Sequence, residues 1–307
     1  SKTEYPVSSE GTPKTADAEE VWTVKKVLDW TIGHLKQHGS ESPRLDAEIL
    51  LAHARGCQRI QLYTQYDTPL EPDERAVMRD LVRRRATLEP VAYLVGFREF
   101  FGLDFEVEPG VLIPRPDTET LVVTALEILN ELPAATVLDV CTGTGCVPVA
   151  IASNCESATL TAIELDDQVH QVAQRNIQKN GLTGRISLLQ GDLFSPLSSD
   201  ALFEVITANP PYVTDAEMDT LQLDVRLHEP QLALRGGVDG LDIVRRLIAE
   251  SGPWLANSGA LLLEIGEQQS AAVTQLFADS GGFEPAQIVK DLGGHSRIVW
   301  ARKRLMS

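Results

Sequence analysis

The stretch of sequence that decides the fold reads Val137-Leu138-Asp139-Val140-Cys141-Thr142-Gly143-Thr144-Gly145. It joins an apolar strand to a Gly-rich turn, and the small apolar residues from Cys146 to Ala152 predict a helix after it. Gly143 and Gly145 allow the backbone to approach a ligand closely, and the start of the helix offers unpaired N–H groups. We interpret the stretch as the first β–α turn of a nucleotide-binding sheet.

The next two predicted strands each end in a carboxylate. Ala158 to Ile163 is followed by Glu164, which is placed to accept hydrogen bonds from both hydroxyls of a ribose. Ile186 to Asp192 is the third strand, and its terminal Asp192 can accept a hydrogen bond from an adenine amino group. Because ligands of open α/β sheets lie beyond the carboxyl ends of the strands, we expect these three strand ends to hold one ligand.

A fourth apolar strand, Val205 to Ala208, runs directly into Asn209-Pro210-Pro211-Tyr212. An amide or aromatic NH2 group is a poor nucleophile because its lone pair is delocalised, so a site that methylates it must hold both N–H bonds. The Asn209 side-chain oxygen and the Pro210 carbonyl offer two acceptors, the prolines restrict the backbone, and Tyr212 can lie against the flat group. The motif predicts methyl transfer to a planar nitrogen; the alternative is a Pro-Pro turn that ends a strand.

Two cofactors are compatible with a Gly-rich turn and an acidic residue on the next strand. NAD is one of them, but this turn is Cys-Thr-Gly-Thr-Gly and lacks the three-glycine pattern that binds a pyrophosphate. Since a methyl-acceptor motif follows on the fourth strand, the predicted cofactor is S-adenosylmethionine. The predicted cofactor-binding residues are Cys141, Thr142, Gly143, Thr144, Gly145, Glu164, Asp192, Leu193 and Asn209.

Hydrophobic periodicity divides the chain into two regimes. Apolar residues at helical spacing, such as Val24, Leu28 and Leu35, and a further helix over Glu74 to Leu88 predict a small helical bundle. Alternation over residues 101–107 predicts a strand or hairpin. From residue 117 onward helical and β-rich runs alternate, which predicts a parallel sheet covered on both faces. The late strands are Ala260 to Ile265, Ala286 to Val289 and Arg297 to Trp300, the last two forming a terminal antiparallel hairpin.

The predicted fold class is therefore α/β: a Rossmann-like class I methyltransferase domain, with a mostly parallel sheet and a terminal antiparallel hairpin, preceded by a small helical-bundle domain. The predicted boundaries are a disordered tail at 1–20, a helical substrate-recognition domain at 21–98, a β-hairpin linker at 99–111 and the methyltransferase domain at 112–307.

Several separate segments of the chain resemble one family, the release-factor glutamine N5-methyltransferases known as PrmC/HemK. They are Ser42 to Glu48, Glu89 to Tyr93, Leu112 to Glu119, the Gly-rich turn, Asn209 to Tyr212, Glu229-Pro230, Gly236 to Leu241 and Glu264 to Gly266. The sequence departs from the family at Cys141, where Gly is usual, and at Leu193, where many members have an aromatic residue. A Cys at a position that requires a positive φ would be strained.

The resemblance implies the substrate and the roles of the site residues. The acceptor would be the glutamine of the Gly-Gly-Gln loop of peptide-chain release factors, and the helical domain would bind the rest of that partner. Asn209, Pro210 and Tyr212 would be catalytic, and Pro211 would join them in binding the substrate. The segment Ile113 to Glu119 favours release factors over the ribosomal protein that a sister family methylates on glutamine.

Composition bounds the remaining alternatives. The net charge of −17 disfavours an adenine-N6 nucleic-acid methyltransferase, which needs a basic groove and a pocket for a flipped base. A binding module without catalysis is disfavoured by the intact Asn209 to Tyr212 motif. The sequence contains no long apolar segment, secretory signal or metal-ligand spacing, so we expect a monomeric, metal-free, cytoplasmic protein with reduced cysteines and no membrane contact.

Three further features have two interpretations each. Arg83-Arg84-Arg85 is interpreted as a solvated helix face, with a docking patch for an acidic partner as the alternative. Glu229 could act as a general base, but a structural role is favoured because the amide proton can leave after methyl transfer. Arg115 could contact the substrate or close the cofactor site, or it could form a structural ion pair.

Overall fold

A computed structural model of the chain describes residues 21–305, so the predicted tail lies outside the described residues. The chain divides between Ala86 and Thr87 into two compact units. The division falls before residue 98, the end predicted for the helical domain. It assigns the helix Val91–Val95 to the second unit.

The first unit is helical over its described residues. Its helices are α1 (Val24–Gln37), α2 (Pro43–Arg55), α3 (Arg59–Thr64) and α4 (Pro72–Arg85). The Thr23 side chain caps α1 by accepting a hydrogen bond from the Lys26 N–H, and Gly56 ends α2 in the left-handed conformation. Buried leucines and valines fill the space between the helices, including Val24, Leu35 and Leu50. The predicted helical bundle is therefore present.

The arginine run at the end of α4 does not form one solvated face. The Arg83 side chain is 77% exposed, as that interpretation requires. Arg85 instead is buried, and its Nε donates a hydrogen bond of 2.8 Å to the Asp46 carboxylate in α2. The prediction was wrong for Arg85 because consecutive helix residues point 100° apart, so a run of three cannot share one face.

The second unit begins with α5 (Val91–Val95) and a β-hairpin, β1 (Phe97–Phe100) paired with β2 (Leu103–Glu106). The two-residue turn between the strands is Phe101-Gly102, and both residues have positive φ, 53° and 74°. Sequence alternation predicts a strand or hairpin over residues 101–107, and the hairpin is the alternative observed. Phe101 lies in its turn because a tight two-residue hairpin with the strand twist needs left-handed central residues.

A seven-stranded sheet forms the rest of the second unit, in the order β5-β4-β3-β6-β7-β9-β8. Strands β3 to β7 are parallel, and β9 and β8 add the terminal antiparallel pair, as predicted. The strands are β3 (Ala135–Val140), β4 (Ala158–Glu164), β5 (Ile186–Gln190), β6 (Phe203–Ala208), β7 (Leu255–Glu264), β8 (Gln287–Lys290) and β9 (Ser296–Arg302). The helices are α6 (Glu119–Leu129), α7 (Cys146–Asn154), α8 (Asp167–Lys179), α9 (Leu223–His228), α10 (Gln231–Leu234), α11 (Asp242–Glu250) and α12 (Ser270–Ser280).

Helices cover both faces of this sheet. One apolar cluster joins α6, α7 and α8 to strand residues such as Val137 and Leu262. The other joins α11 and α12 to Leu138 and Leu261, the neighbours of those residues on the same strands. Successive strand residues thus face opposite layers, as the period of two along a strand requires. Within residues 21–305 no helix combines the length and apolar character needed to span a bilayer.

The strand order reverses between β3 and β6, which is where an open α/β sheet forms a ligand crevice. In the registers of β3 with its two neighbours, Val140 is level with Ile163 on one side and with Ala208 on the other. The residues that follow these positions, Cys141, Glu164 and Asn209, therefore emerge at the same edge.

Candidate active site

The Gly-rich turn leaves β3 through three residues in the left-handed conformation. The φ angles are 59° at Cys141, 58° at Gly143 and 78° at Gly145, and Gly145 is the N-cap of α7. The backbone at Cys141 therefore has the left-handed conformation that favours Gly. Burial raises the pKa of the Cys141 thiol, so it stays neutral near pH 7.

Buried threonines anchor this turn to the sheet. The Thr142 hydroxyl donates to Oδ2 of Asp139 at 2.5 Å, and the hydroxyl of Thr207 on β6 donates to Oδ1 at 2.6 Å. Burial nevertheless raises the pKa of Asp139 to about 7. The carbonyl of Thr144 accepts a hydrogen bond of 2.9 Å from Nδ2 of the fully buried Asn176 on α8. The Thr142 hydroxyl and the Thr144 backbone carbonyl thus hold the turn in place from inside the fold.

Glu164 closes the turn from the neighbouring strand. Its Oε2 accepts a hydrogen bond of 2.9 Å from the Gly143 N–H, and its Oε1 accepts from the N–H groups of Leu165 and Asp166 at 2.9 and 3.1 Å. Burial raises the pKa of this carboxyl, while the three N–H donors oppose the shift. A carboxylate has about four acceptor positions and three of them are filled here, so one position, on Oε2, remains for a ribose hydroxyl.

The segment after β5 places Asp192 beside Leu193 at the same edge. Asp192 is half exposed and accepts hydrogen bonds from both terminal nitrogens of Arg246, at 3.2 and 2.9 Å. Leu193 is buried, and its φ of 48° makes it, after Cys141, a second non-Gly residue with a left-handed backbone in this region. Phe194 stacks on Trp254 inside the core at a centroid distance of 6.3 Å. Of the neighbours Leu193 and Phe194, Leu193 is therefore the one whose side chain faces the crevice.

The Asn209 to Tyr212 motif follows β6 directly. The Asn209 amide nitrogen Nδ2 donates a hydrogen bond of 3.3 Å to the Thr118 hydroxyl, which leaves the amide oxygen for another donor. Pro210 is buried, and Tyr212 is partly buried with its carbonyl held by Nε2 of Gln269 at 2.9 Å. Burial also raises the pKa of the Tyr212 phenol, so it stays protonated.

A glycine-containing segment lies directly against this motif. A Cβ at Gly236 would lie 2.7 Å from the carbonyl oxygen of Pro211, and one at Gly240 would lie 2.3 Å from that of Tyr212. The segment is tied down by a hydrogen bond of 2.8 Å from the Gly236 N–H to the Val213 carbonyl. These two glycines are required by close backbone approach.

An ion pair links the segment before α6 to the segment after α9. Arg115 binds Oε1 of the buried Glu229, and the Ile113 N–H donates to Oε2 at 3.2 Å. Both oxygens of Glu229 are thus engaged, which agrees with a structural role and not with a general base. Of the two interpretations of Arg115, the ion pair is the one observed.

The strand ends surround a cavity of about 200 Å³, here named the strand-end cavity. Seven of the predicted site residues line it: Cys141, Gly143, Glu164, Asp192, Leu193, Asn209 and Pro211. The other five predicted site residues do not line it: Thr142, Thr144, Gly145, Pro210 and Tyr212. Sequence reasoning missed an apolar part of the wall, made by Leu112, Pro230, Leu232 and Ile243.

These groups fit an adenosine-containing cofactor. Glu164 keeps acceptor capacity for a hydroxyl, Asp192 is a half-exposed acceptor, and the turn at Gly143 carries no side chain. Ile163 and Leu193 add apolar surface for a planar base.

Comparisons with known proteins agree with this geometry. The family model for the PrmC N-terminal domain matches residues 26–96, and that for the methyltransferase small domain matches residues 115–237. The release factor glutamine methyltransferase of Rhodopirellula baltica is 44% identical over 286 residues, which are 92% of this chain and 97% of that protein. The protein of the same name from Geobacter sulfurreducens is 43% identical over 284 residues, 92% of this chain and 98% of that protein.

Among solved structures, the N-terminal domain of human METTL16 in complex with SAH has a similar fold. The TM-score is 0.51 at 17% sequence identity, and the match covers 72% of this chain and 83% of that one. This likeness supports the class I methyltransferase fold that the sheet order displays. The family models and the two close relatives go further, because each relative matches over nearly its whole length. The chain belongs to the family of release factor glutamine methyltransferases.

Proposed function

We propose that this protein transfers a methyl group from S-adenosylmethionine to the side-chain amide nitrogen of the glutamine in the Gly-Gly-Gln loop of peptide-chain release factors. The observation that carries the proposal is the geometry of Asn209. Its Nδ2 is bonded to Thr118 within the protein, and the residue lines the strand-end cavity. The amide oxygen is thereby available to accept an N–H from a substrate.

Positioning supplies the catalysis in this proposal. Asn209 Oδ1 and the Pro210 carbonyl accept the two N–H bonds of the glutamine amide, and Tyr212 lies against the amide plane. Held in this way, the nitrogen directs its lone pair at the methyl carbon, and Pro211 contributes to the wall beside it.

The sulfonium of S-adenosylmethionine supplies an electrophilic methyl group. The nitrogen–carbon bond forms as the carbon–sulfur bond breaks, which gives N5-methylglutamine and S-adenosylhomocysteine. The nitrogen loses one proton to solvent after transfer, so the chain needs no dedicated base. This agrees with the full engagement of Glu229 by Arg115 and Ile113.

Cofactor binding is assigned to the residues around the strand-end cavity. Glu164 would bind a ribose hydroxyl, Asp192 the adenine amino group, and Leu193 the adenine face. Cys141 and Gly143 would contact the cofactor from the turn. The role of Thr142, Thr144 and Gly145 would be to hold that turn in its conformation.

The proposal extends to the domains and the setting. The helical domain predicted at residues 21–98 would bind the release factor outside its loop, with the hairpin region 99–111 as linker and 112–307 as the catalytic domain. The protein would act as a monomer in the cytoplasm, on a protein substrate of translation termination. The net charge of −17 supports a protein substrate over a nucleic acid.

Mass spectrometry of the Gly-Gly-Gln peptide tests the proposal. Purified release factor is incubated with the protein and S-adenosylmethionine, and adenine-containing oligonucleotides and a ribosomal protein are incubated in parallel. We expect a single methyl group on the glutamine of the release factor. Methyl transfer to adenine, or to the ribosomal protein instead, would reject the assignment.

The Asn209→Ala variant provides the control for the site. It should lose turnover while S-adenosylhomocysteine binding stays within about threefold, because Asn209 contributes one contact among many in the cofactor site. Unchanged turnover would exclude the role of Asn209.

A further inference from the structure

Asn209 can act only if its side-chain amide keeps one orientation. The oxygen and nitrogen of an Asn side chain have nearly the same shape but opposite hydrogen-bonding character. If the amide turned by 180°, Nδ2 would meet the N–H bonds of the substrate, donor against donor. Some neighbouring group must distinguish the two orientations.

Thr118 is the neighbour in contact with this amide, at 3.3 Å between its Oγ1 and Nδ2 of Asn209. It is 2% exposed and lies just before α6. A hydroxyl can both donate and accept, so Thr118 alone would tolerate either end of the amide. If Thr118 donates its hydroxyl proton to another group, its oxygen can only accept, and it then selects Nδ2 of Asn209. If its proton is free, it can donate to Oδ1 instead.

Glu264 is a buried carboxyl at the same edge of the sheet. It is the last residue of β7, one position beyond Leu263, which pairs with Ala208 beside Asn209. It is 1% exposed, and its Oε2 has no hydrogen-bond partner among the described residues. Burial raises the pKa of this carboxyl to about 7, and the nearby Thr118 hydroxyl opposes that shift by favouring the charged form. A buried carboxylate with an unfilled acceptor position is strongly stabilised by a hydrogen bond that a hydroxyl donates to it.

We propose that Glu264 and Thr118 are positioning residues that fix the orientation of the Asn209 amide. Thr118 donates its one proton to Glu264, so its oxygen can only accept, and it selects Nδ2 of Asn209. The amide oxygen then faces the substrate. This inference rests on the proposed function, because it explains how that same site presents its acceptor.

Three variants test the role of the hydroxyl. Thr118→Val removes it with little change of shape, and Thr118→Ser retains it. Thr124→Val is the matched control, since Thr124 is a buried threonine of α6 whose hydroxyl bonds the Thr120 carbonyl away from the site. The readouts are kcat and KM with intact release factor, S-adenosylhomocysteine binding and thermal unfolding.

We expect kcat for Thr118→Val to fall about ten- to a hundredfold, a range typical of a misplaced catalytic group. KM and S-adenosylhomocysteine binding should change less than about threefold, because most substrate binding energy comes from elsewhere. Thr118→Ser should recover most of the activity, and Thr124→Val should match the wild type. A Thr118→Val enzyme as active as the wild type, or a Thr118→Ser enzyme as slow as Thr118→Val, would overturn the proposal.

Glu264→Met tests the second link. Loss of the acceptor frees the Thr118 proton for Oδ1 of Asn209, so kcat should fall while the midpoint of thermal unfolding stays the same or rises. In the double variant with Thr118→Val the two effects should not add, because both act through one amide. Additive losses would overturn the link between the two residues. If the wild type does not methylate release factor at all, the proposed function fails first and this inference falls with it.

Discussion

The Glu164 carboxylate and the Gly143 backbone are joined by a hydrogen bond of 2.9 Å from the Gly143 N–H to Oε2. The bond connects the end of β4 to the Gly-rich turn after β3, so the turn is fixed before any ligand arrives. Because Oε1 is held by two further N–H groups, the carboxylate is locked in one orientation. A site ordered in this way loses little conformational freedom on binding.

Glu164→Gln should therefore weaken cofactor binding. A Gln side chain has one acceptor oxygen, so it cannot accept both from the Gly143 N–H and from the N–H groups of Leu165 and Asp166. At least one N–H therefore loses a charge-assisted hydrogen bond worth about 1.5–3 kcal/mol. We expect the Kd for S-adenosylmethionine, measured by calorimetry, to rise about ten- to a hundredfold. Glu127→Gln, on the exposed face of α6, is the control and should leave Kd unchanged. A Kd for Glu164→Gln within twofold of the wild type would contradict the assigned role.

Cys141→Gly should be more stable than Cys141→Ala. The φ of 59° persists in both variants because the turn requires it, and only Gly adopts it without steric cost. We expect a difference of about 1 kcal/mol in the free energy of unfolding in favour of Gly, measured by urea denaturation. The comparison with Ala matters, because both variants remove the thiol. Equal stability of the two would show that the turn relaxes to another conformation.

Glu229→Gln should lower stability without changing how activity depends on pH. Glu229 is buried and binds both Arg115 and the Ile113 N–H, while Arg115 is one-third exposed and can be partly solvated. We therefore expect a loss of about 1–3 kcal/mol in the free energy of unfolding. The profile of kcat against pH should keep the wild-type shape. Loss of one limb of that profile in the variant would instead identify Glu229 as a proton acceptor.

Asp139 should make stability depend on pH. Its pKa is about 7 in the fold, because burial raises it, and about 3.9 in an unfolded chain. Since the folded value is the higher one, the stabilisation is fully present below pH 4 and is lost as the pH rises through 7. Between pH 5 and pH 8 the free energy of unfolding of the wild type should fall relative to that of Asp139→Asn by about 1 kcal/mol or more.

Urea denaturation of both proteins across that range provides the measurement. Glu264, whose pKa is also raised to about 7, is present in both proteins and cancels in the difference. A constant difference between the two proteins would mean that Asp139 stays charged in the fold.

The sequence alone determined the features that depend on local chemistry. An apolar run followed by Gly143 and Gly145 defined β3 and its turn, and the end of β6 at Ala208 followed from Asn209-Pro210-Pro211. The possible strain at Cys141 could also be expected, since φ at such a turn is set by backbone sterics. The parallel direction of the strands followed from the alternation of helices and strands.

The tertiary structure decided the contacts between residues that are distant in sequence. Thr118 meets Asn209 across 91 positions, and Arg115 meets Glu229 across 114. No periodicity predicts such pairs, because they depend on which strand ends the fold brings together and how the side chains there pack. The same holds for Phe194, which turns into the core toward Trp254 and leaves Leu193 at the crevice. The sequence by itself thus determined which groups carry the proposed chemistry, and packing at the carboxyl edge of the sheet decided which groups orient them.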